Sequence, residues 1–322
     1  MGVSTIQPLE LIPKELMMDI LSRLPVKSLL QFKLVSKSWN SLISNTDFVK
    51  VHLRRRRSNP LVIFCPPYFT HADISSVEVN SFLKAPLTPI THECQNISSN
   101  WNEPYWVIGS CDGLLCLIGT HCSIEQTFFW VCFWNPITRS ISLNWHVDNP
   151  YIYVNSGFGY DQVSDTYKAL FLYRNEEVFI FNMGSSNWRH VGCFPSDFTS
   201  TLKGRATMGV HIKGTLNWIA VLKIYENNFD GTENEIKWVD NGSCVILSFD
   251  LNKEEFVRLL LPVMPHKFGD LDLGVLDECL CVSMFDKQYN FMIWQMKKFG
   301  VEESWTKLFS INYWKEIEPL GL

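Results

Sequence analysis

The chain has 322 residues, of which 46% are hydrophobic and 19% are charged. This length is large for a single core and suits a large domain joined to a small one. The apolar share is ordinary for a globular protein and excludes a mostly disordered chain. Aromatic residues make up 14% of the chain, and because aromatic side chains favour strands, the composition indicates β structure.

Charge divides the chain into two parts. Residues 1–57 contain 10 Lys and Arg against 4 Asp and Glu, a net charge of +6, whereas the remainder contains 18 against 29, a net charge of −11. A basic N-terminal module on an acidic body indicates two separate tasks and an acidic partner for the module.

Neither a membrane span nor a secretory signal is visible. The longest apolar run, from Phe128 to Trp134, has seven residues, whereas a spanning helix needs about 20. We therefore expect a soluble protein of the cytoplasm, the nucleus or both, with no membrane partner. The 10 cysteines are irregularly spaced and are expected to be mostly buried free thiols, without a metal site or a cofactor.

Helical periodicity marks the N-terminal module, residues 12–44. Leu16, Ile20 and Leu24 recur at every fourth position and predict a first helix. Pro25 ends it and opens a second, and Ser36 or Ser38 could cap a third. A module this small cannot bury all its apolar surface, so it either packs on the following domain or binds a second protein. The pattern alone leaves both alternatives open.

The same module closely resembles an F-box. The resemblance is carried by the blocks Ile12–Leu16, Ile20–Leu29 and Val35–Ile43. It implies binding to the Skp adaptor of a cullin-RING ubiquitin ligase, whose acidic character agrees with the positive charge of the module. It also implies that Trp39 and Ile43 pack the module itself. The residues that would contact the adaptor are Ile12, Pro13, Ile20, Leu21, Leu24, Pro25 and Leu29.

A basic run, Lys50 and Arg54–Arg57, follows the module. It could be a nuclear-localisation or nucleic-acid patch, but no stacking aromatics are interleaved and the body is acidic. We expect a solvated helix end and linker, and no nucleic-acid partner. The predicted domains are thus the F-box at 1–50, a basic linker at 51–60 and a β domain at 61–322.

Past residue 60 the sequence shows a β repeat. A strand ends at Asn135, Asn182, Asp250 and Gln295 and is followed by a turn and another large apolar residue, which predicts a hairpin in each unit. The units recur at intervals of 47, 68 and 45 residues, as propeller blades do. A second signature, represented by Gly113–Leu117, Gly214–Trp218 and Glu278–Val282, predicts inner strands.

The repeat resembles the F-box-associated domain of land plants. The matching segments are Gly109–Cys116, Trp134–Arg139 and Gly157–Lys168. The resemblance implies an α+β chain, in which a three-helix F-box precedes an all-β propeller-like domain that recognises target proteins. Family members continue past the motif at 317–322, within which this chain stops. Either the chain is a short natural form, or its last blade is incomplete.

No catalytic arrangement was found, and we expect a non-catalytic adaptor. Asp161 and Asp165 are predicted to form a turn, and Cys111 a buried thiol at a strand end. The predicted function is that of a substrate-recognition subunit, which captures an unknown target and, through the Skp adaptor, cullin and RING subunits, leads it to ubiquitination and proteasomal degradation. The alternatives are self/non-self or defence recognition without degradation, and a propeller enzyme.

Exposed aromatic side chains are enriched at protein interfaces. On that ground we consider an aromatic group and the insertion at 225–238 as candidate target contacts. The aromatic candidates are Trp101, Tyr105, Trp106, Tyr151 and Tyr153.

Overall fold

A computed structural model describes most of the chain. The described residues are 13–56, 61–64, 74–78, 90–92, 105–122, 127–146, 153–173, 176–199, 207–222, 244–263, 268–286 and 290–312. Two compact units are distinguished, residues 1–104 with 135–141 and residues 105–134 with 142–322. The first contains the helices, which are α1 (Lys14–Ser22), α2 (Val26–Phe32), α3 (Lys37–Ser44) and α4 (Thr46–Arg56).

The first three helices begin where the sequence predicts them. Pro13 and Pro25 stand immediately before α1 and α2, a place where the missing N–H of proline costs nothing. Ser36 is the cap of α3, since its Oγ accepts a hydrogen bond from the Trp39 N–H at 3.2 Å. Helix α4 was not predicted, and it includes the first residues of the expected linker at 51–60.

The helices enclose a small core of their own. Its buried members are Leu21, Leu29, Leu42, Ile43 and Phe48. Trp39 packs against this core, with its ring 5.3 Å from that of Phe32. The prediction that Trp39 and Ile43 pack the module itself is therefore confirmed.

The Arg55 side chain of α4 forms hydrogen bonds with two residues of α1. Its guanidinium donates to the Asp19 carboxylate at 2.5 Å, to the Asp19 carbonyl at 2.9 Å and to the Ser22 hydroxyl at 2.5 Å. Four residues of the basic run, Lys50 and Arg54–Arg56, thus lie in α4, and Arg55 binds α1 directly.

A three-stranded antiparallel sheet also belongs to the first unit. This sheet lies after residue 60, within the predicted β domain, yet it groups with the helices. Its strands are β1 (Leu61–Phe64), β2 (Ile74–Glu78) and β3 (Ile90–His92), in that order. The boundaries of the functional domains therefore stay a prediction.

The second unit is built from four-stranded antiparallel sheets. Sheet A comprises β4 (Tyr105–Cys111), β5 (Leu114–Cys122), β6 (Thr127–Asn135) and β7 (Ser140–His146). Sheet B comprises β8 (Tyr153–Asp161), β9 (Thr166–Tyr173), β10 (Glu177–Asn182) and β11 (Trp188–Cys193). A short β12 (Phe198–Thr199) precedes sheet C, which comprises β13 (Thr207–Ile212), β14 (Thr215–Leu222), β15 (Cys244–Asp250) and β16 (Glu255–Leu260). Sheet D comprises β17 (Phe268–Leu276), β18 (Cys279–Asp286), β19 (Asn290–Met296) and β20 (Trp305–Asn312).

The first strands of consecutive sheets are neighbours. Strand β8 pairs in parallel with β13, which makes sheets B and C continuous. Strand β4 lies against β8 and β13, and β17 lies against β13. Four-stranded sheets that succeed one another around their first strands are characteristic of a propeller, so the predicted α+β chain with a propeller-like body is confirmed.

The predicted hairpins are the third and fourth strands of each sheet. In sheets A and C the turn has a local cause, because the side chain at the end of the third strand accepts hydrogen bonds from the turn backbone. Asn135 Oδ1 accepts from the Ile137 and Thr138 N–H groups at 3.0 and 3.1 Å, and Asp250 Oδ1 accepts from the two residues that follow Leu251, both at 2.9 Å.

The second signature marks the turn between the first and second strands. In sheets A, C and D both turn residues have positive φ, at Asp112–Gly113, Lys213–Gly214 and Asp277–Glu278. Two such residues form the type I′ turn that suits a tight hairpin, and Gly adopts the required conformation at little cost. The strands that follow, β5, β14 and β18, are the second in their sheets and are mostly buried.

Three apolar clusters fill the spaces between successive sheets. One lies between sheets A and B around Phe133 and Phe158, one between B and C around Leu170 and Trp218, and one between C and D. Because burying a large apolar side chain stabilises by about 1.5–3 kcal/mol, these clusters hold the sheets in place. The segment at 313–322, which includes the family motif at 317–322, lies outside the described residues.

Candidate functional site

An exposed apolar face lies on α1. Leu16 and Ile20 are 56% and 53% exposed and stand one helical turn apart, on the same side of the helix. Pro13 is exposed at the start of α1. We call these three residues the α1 face. Exposure of two adjacent large aliphatic side chains to water costs free energy, and such adjacent exposed apolar side chains are typical of a binding surface.

The predicted adaptor contacts fall into two groups. Pro13, Ile20 and Pro25 are exposed, so they are accessible to a partner. Leu21 and Leu29 are 2% and 4% exposed, within the helical core. Leu24 is partly buried against that core, and Ile12 lies outside the described residues. The buried leucines pack in the core of the helical module, and their role as contacts of the adaptor stays a prediction.

Four exposed apolar residues of the module, Leu16, Leu34, Val35 and Val49, were missing from the predicted contact set. Leu16 belongs to the α1 face, and its spacing of four from Ile20 was the signal that could have identified it. Leu34 and Val35, between α2 and α3, are 88% and 64% exposed. Exposure in a loop has no periodic signature, so sequence reasoning could not have selected this pair.

The exposed charge of the helical module is mostly positive. Exposed cations include Lys14, Lys27, Lys37 and Lys50, whereas the exposed carboxylate of Glu15 adjoins Leu16 in α1. The other acidic residue of α1, Asp19, is paired, because its hydrogen bonds with Arg55, and then with Arg23, lower the pKa of its carboxyl. An apolar face on a module of net positive charge suits a partner with an apolar groove and acidic surroundings.

Side chains are described for two of the five aromatic candidates, and neither is fully exposed. Tyr105 is buried, with its ring 6.3 Å from that of Trp130. Trp106 is partly buried against the cluster between sheets A and B. Tyr153 begins β8, but its side chain is outside the description, as are Trp101, Tyr151 and the insertion at 225–238. Their role in target binding stays a prediction.

The ends of three first strands bring a thiol and an imidazole together. Cys111 Sγ lies 3.5 Å from His211 Nδ1, and His211 Nε2 lies 3.3 Å from both the N and the O of Tyr160. The ring can lie there because Gly159 has no side chain, since a Cβ would stand 2.3 Å from it. The 100 residues between Cys111 and His211 explain why sequence spacing gave no hint of the pair. Cys111 is only 8% exposed, as expected for a thiol at a buried strand end.

A buried charge network joins sheets B and C. The Lys168 ammonium, 5% exposed, lies 3.0 Å from the Asp161 carboxylate and 3.4 Å from that of Glu254. It also donates to the Leu251 carbonyl at 2.6 Å. Arg189 donates two hydrogen bonds to Glu254, at 2.5 and 2.6 Å.

The network affects both carboxylates in the same direction. Burial tends to raise the pKa of Asp161, but hydrogen bonds from Ser164, Lys168 and the Val163 N–H outweigh it and lower that pKa. The hydrogen bonds from Arg189 are the main reason why the pKa of Glu254 is lowered. The bonds from Val163 and Ser164, at 2.9 and 2.5 Å, form the predicted turn.

The described residues contain seven free thiols but no metal-binding cluster and no membrane-spanning helix. Among them, no group of three or more His, Cys, Asp or Glu side chains is placed to hold a metal ion. In the same part of the chain, no helix has the length and apolarity needed to cross a membrane. The cysteines described as free thiols are Cys111, Cys116, Cys132, Cys193, Cys244, Cys279 and Cys281.

These features define the class of protein. A helical module with an exposed apolar face precedes a propeller-like body, in whose described part no metal-binding cluster is assembled. Family profiles agree: the F-box domain matches residues 9–50, and the F-box associated beta propeller domain matches residues 68–320. The chain belongs to the family of F-box proteins that carry an F-box associated beta propeller domain.

Relatives from Arabidopsis thaliana are similar along most of their length. The F-box/kelch-repeat protein At3g23880 is 32% identical over 316 residues, which cover 93% of this chain and 79% of the relative. The F-box protein CPR1 is 26% identical over 341 residues, which cover 96% of this chain and 75% of the relative.

Proposed function

We propose that the chain is the substrate-recognition subunit of a Skp–cullin–F-box ubiquitin ligase. The exposed α1 face, on a module with an F-box sequence, is the observation that carries this proposal. The module binds the Skp-type adaptor and, through it, the cullin and RING subunits. The propeller unit holds the target protein, which is then ubiquitinated and degraded in the cytoplasm, the nucleus or both.

The mechanism requires no chemistry from this chain. A target held by the propeller unit is tethered to the ligase, so its lysines meet the ubiquitin-charged enzyme at a high effective concentration. Rate and choice of target then depend on two binding events, one for each unit, and not on a catalytic side chain.

The contribution of the α1 face to the affinity for the adaptor can be estimated from its exposed side chains. Full burial of one Leu or Ile side chain stabilises by about 1.5–3 kcal/mol, and roughly half of each side chain is already covered in the free chain. Covering the rest of Leu16 and Ile20 therefore contributes about 2 kcal/mol together, or roughly 30-fold in affinity. This is enough for a single substitution to be measurable.

The proposal is tested by the affinity of the full chain for a purified Skp-type adaptor, measured by calorimetry. Ile20→Asp and Leu16→Asp should each weaken binding at least tenfold, because they place a charge in an apolar interface. Val49→Asp, at an exposed apolar position of α4, is the matched control and should bind normally. Unchanged melting temperatures would exclude misfolding as the cause. Equal affinity for all variants would contradict the proposal.

The alternative of recognition without degradation shares the first binding event. It differs in the fate of the target, whose half-life would then not respond to proteasome inhibition. The enzyme alternative has one observation in its favour, the Cys111–His211 pair. Because that thiol is buried beneath the strand ends, we propose a structural role, and Cys111→Ser should leave target capture unchanged.

A further inference from the structure

Sheet D has an apolar face that points away from sheet C. Met284 lies in the cluster between sheets C and D, so Phe285, the next residue of β18, points to the opposite side. Residues paired directly across neighbouring strands share a face, and Phe285 pairs with Phe291 of β19. We call this side the outer face of sheet D. Its apolar members are Phe285, Phe291, Ile293, Phe309 and Ile311.

The outer face is only partly covered. Phe285 and Phe309 are 44% and 43% exposed, and the other three members are half-buried. The rings of Phe285 and Phe291 lie 5.0 Å apart, so they form one apolar surface. None of the apolar clusters formed by the described residues includes a member of this face.

Sheet A, the first of the four sheets, differs in this respect. Cys116 of β5 lies in the cluster between sheets A and B, so its neighbours Leu115 and Leu117 point away from sheet B. They are nevertheless only 2% and 0% exposed. Apolar side chains on both faces of sheet A are thus buried, whereas those on the outer face of sheet D meet water. An apolar patch of this kind is typical of a contact with another molecule.

The outer face carries little charge. Ser283 pairs with Ile293, and Gln295 pairs with Thr306. Asp272, opposite Ser283 on β17, is the one charged residue among the paired positions of this face in the described strands. Such a face has no means of selecting a partner of opposite charge, but it can meet a copy of itself with few like charges opposed. A copy also supplies a sheet face of the same size, and sheet faces pack well on one another.

We propose that the outer face of sheet D binds the same face of a second copy of this chain, around a two-fold axis. Burial of a phenylalanine removes roughly 200 Å² from water, so Phe285 and Phe309 each leave about 90 Å² exposed and the whole face about 300 Å² of apolar area. With the surrounding polar positions, the contact buries about 1,000 Å² over both copies, at the lower end of specific interfaces. The dimer should therefore dissociate readily, with a Kd on the order of 10 µM.

Sedimentation velocity of the full chain between 1 and 100 µM tests the proposal. The chain should be mostly monomeric at the lowest concentration and mostly dimeric at the highest. Hydroxyl-radical footprinting at the two extremes locates the contact, since oxidation of Phe285 and Phe309 should fall several-fold at the higher concentration. Oxidation of Met208, a residue of β13 that is 59% exposed, should stay the same.

Variants assign the contact to the outer face. Phe285→Asp and Phe309→Asp should each raise the Kd at least tenfold, because they place a carboxylate in an apolar contact. Val263→Asp, at a position that is 93% exposed and lies outside sheet D, is the matched control and should dimerise normally. Unchanged melting temperatures would exclude misfolding as the cause.

Three results would overturn the inference. The first is a chain that stays monomeric up to 100 µM, and the second is a dimer that persists unchanged in both Phe variants. The third is a dimer lost in Ile20→Asp but kept in Phe309→Asp, which would assign the contact to the α1 face. Adaptor binding is measured separately, so its failure would count against the proposed function and not against the dimer.

Discussion

Replacing Lys168 by Met should strongly destabilise the second unit. The substitution removes a buried ammonium that neutralises Asp161 at 3.0 Å and satisfies the Leu251 carbonyl at 2.6 Å. Met has a similar length, so lost packing contributes little. Because the Asp161 carboxylate is left buried without a cation, the free energy of unfolding should fall by about 3–5 kcal/mol. The melting temperature should fall by about 10 °C.

The assay is urea unfolding of the full chain, followed by tryptophan fluorescence and by circular dichroism. Lys253→Met removes an exposed cation from the neighbouring turn and should change the free energy by less than about 0.5 kcal/mol. The double variant Asp161→Asn with Lys168→Met should lose less free energy of unfolding than the two single variants lose together, because neither charge is then left unpaired. A loss below about 1 kcal/mol for Lys168→Met would refute the reasoning.

The pH dependence gives a second check on the same substitution. The pKa of Asp161 is lowered in the folded chain, so its stabilising contribution is present above the pKa of the unfolded state and is lost as pH falls through the folded pKa. In Lys168→Met, Asp161 should instead be protonated readily. The difference in unfolding free energy between the two proteins should therefore be largest near neutral pH and should shrink as the solution is acidified.

Two further predictions concern local structure. Ser36→Ala should lower the free energy of unfolding of the helical module by about 1 kcal/mol, because the Trp39 N–H loses its hydrogen-bond acceptor. The helical circular dichroism signal during thermal unfolding measures this loss. An unchanged transition would show that the cap is dispensable. Gly159→Ala should cost about 1–3 kcal/mol, because the new Cβ meets the His211 ring. Gly274→Ala, where no atom lies within 4 Å of the new Cβ, should stay within about 0.5 kcal/mol, and equal costs at the two positions would contradict the geometry.

Much of the fold could be predicted because its determinants are local. Prolines and a serine cap define where the first three helices begin. The hairpins follow from side chains such as Asn135 and Asp250, which bind their own turns, and the second signature follows from positions with positive φ. Helix α4 was not predicted as a separate element, because its cluster of cations suggested a solvated helix end and linker. Arg55 instead binds Asp19, 36 residues earlier in the chain.

The sites were less predictable because they depend on distant pairs. The α1 face was largely predicted, because two of its three residues, Pro13 and Ile20, were in the predicted contact set. Lys168 and Glu254, however, are 86 residues apart, and only the approach of two sheets brings them together. Strand β11 likewise contains an extra residue, Val191, where the pairing with β10 shifts, and no propensity in the surrounding sequence indicates this shift.

The central claim is that one unit captures a protein and the other unit delivers it to a ligase. The most direct measurement is quantitative proximity labelling in plant cells that express either the full chain or its Ile20→Asp variant, combined with the abundance of each labelled protein. The account predicts that both chains label the same targets, and that these targets are less abundant with the unmodified chain unless the proteasome is inhibited. Targets labelled equally by both chains, with the same abundance in both and no response to inhibition, would contradict it.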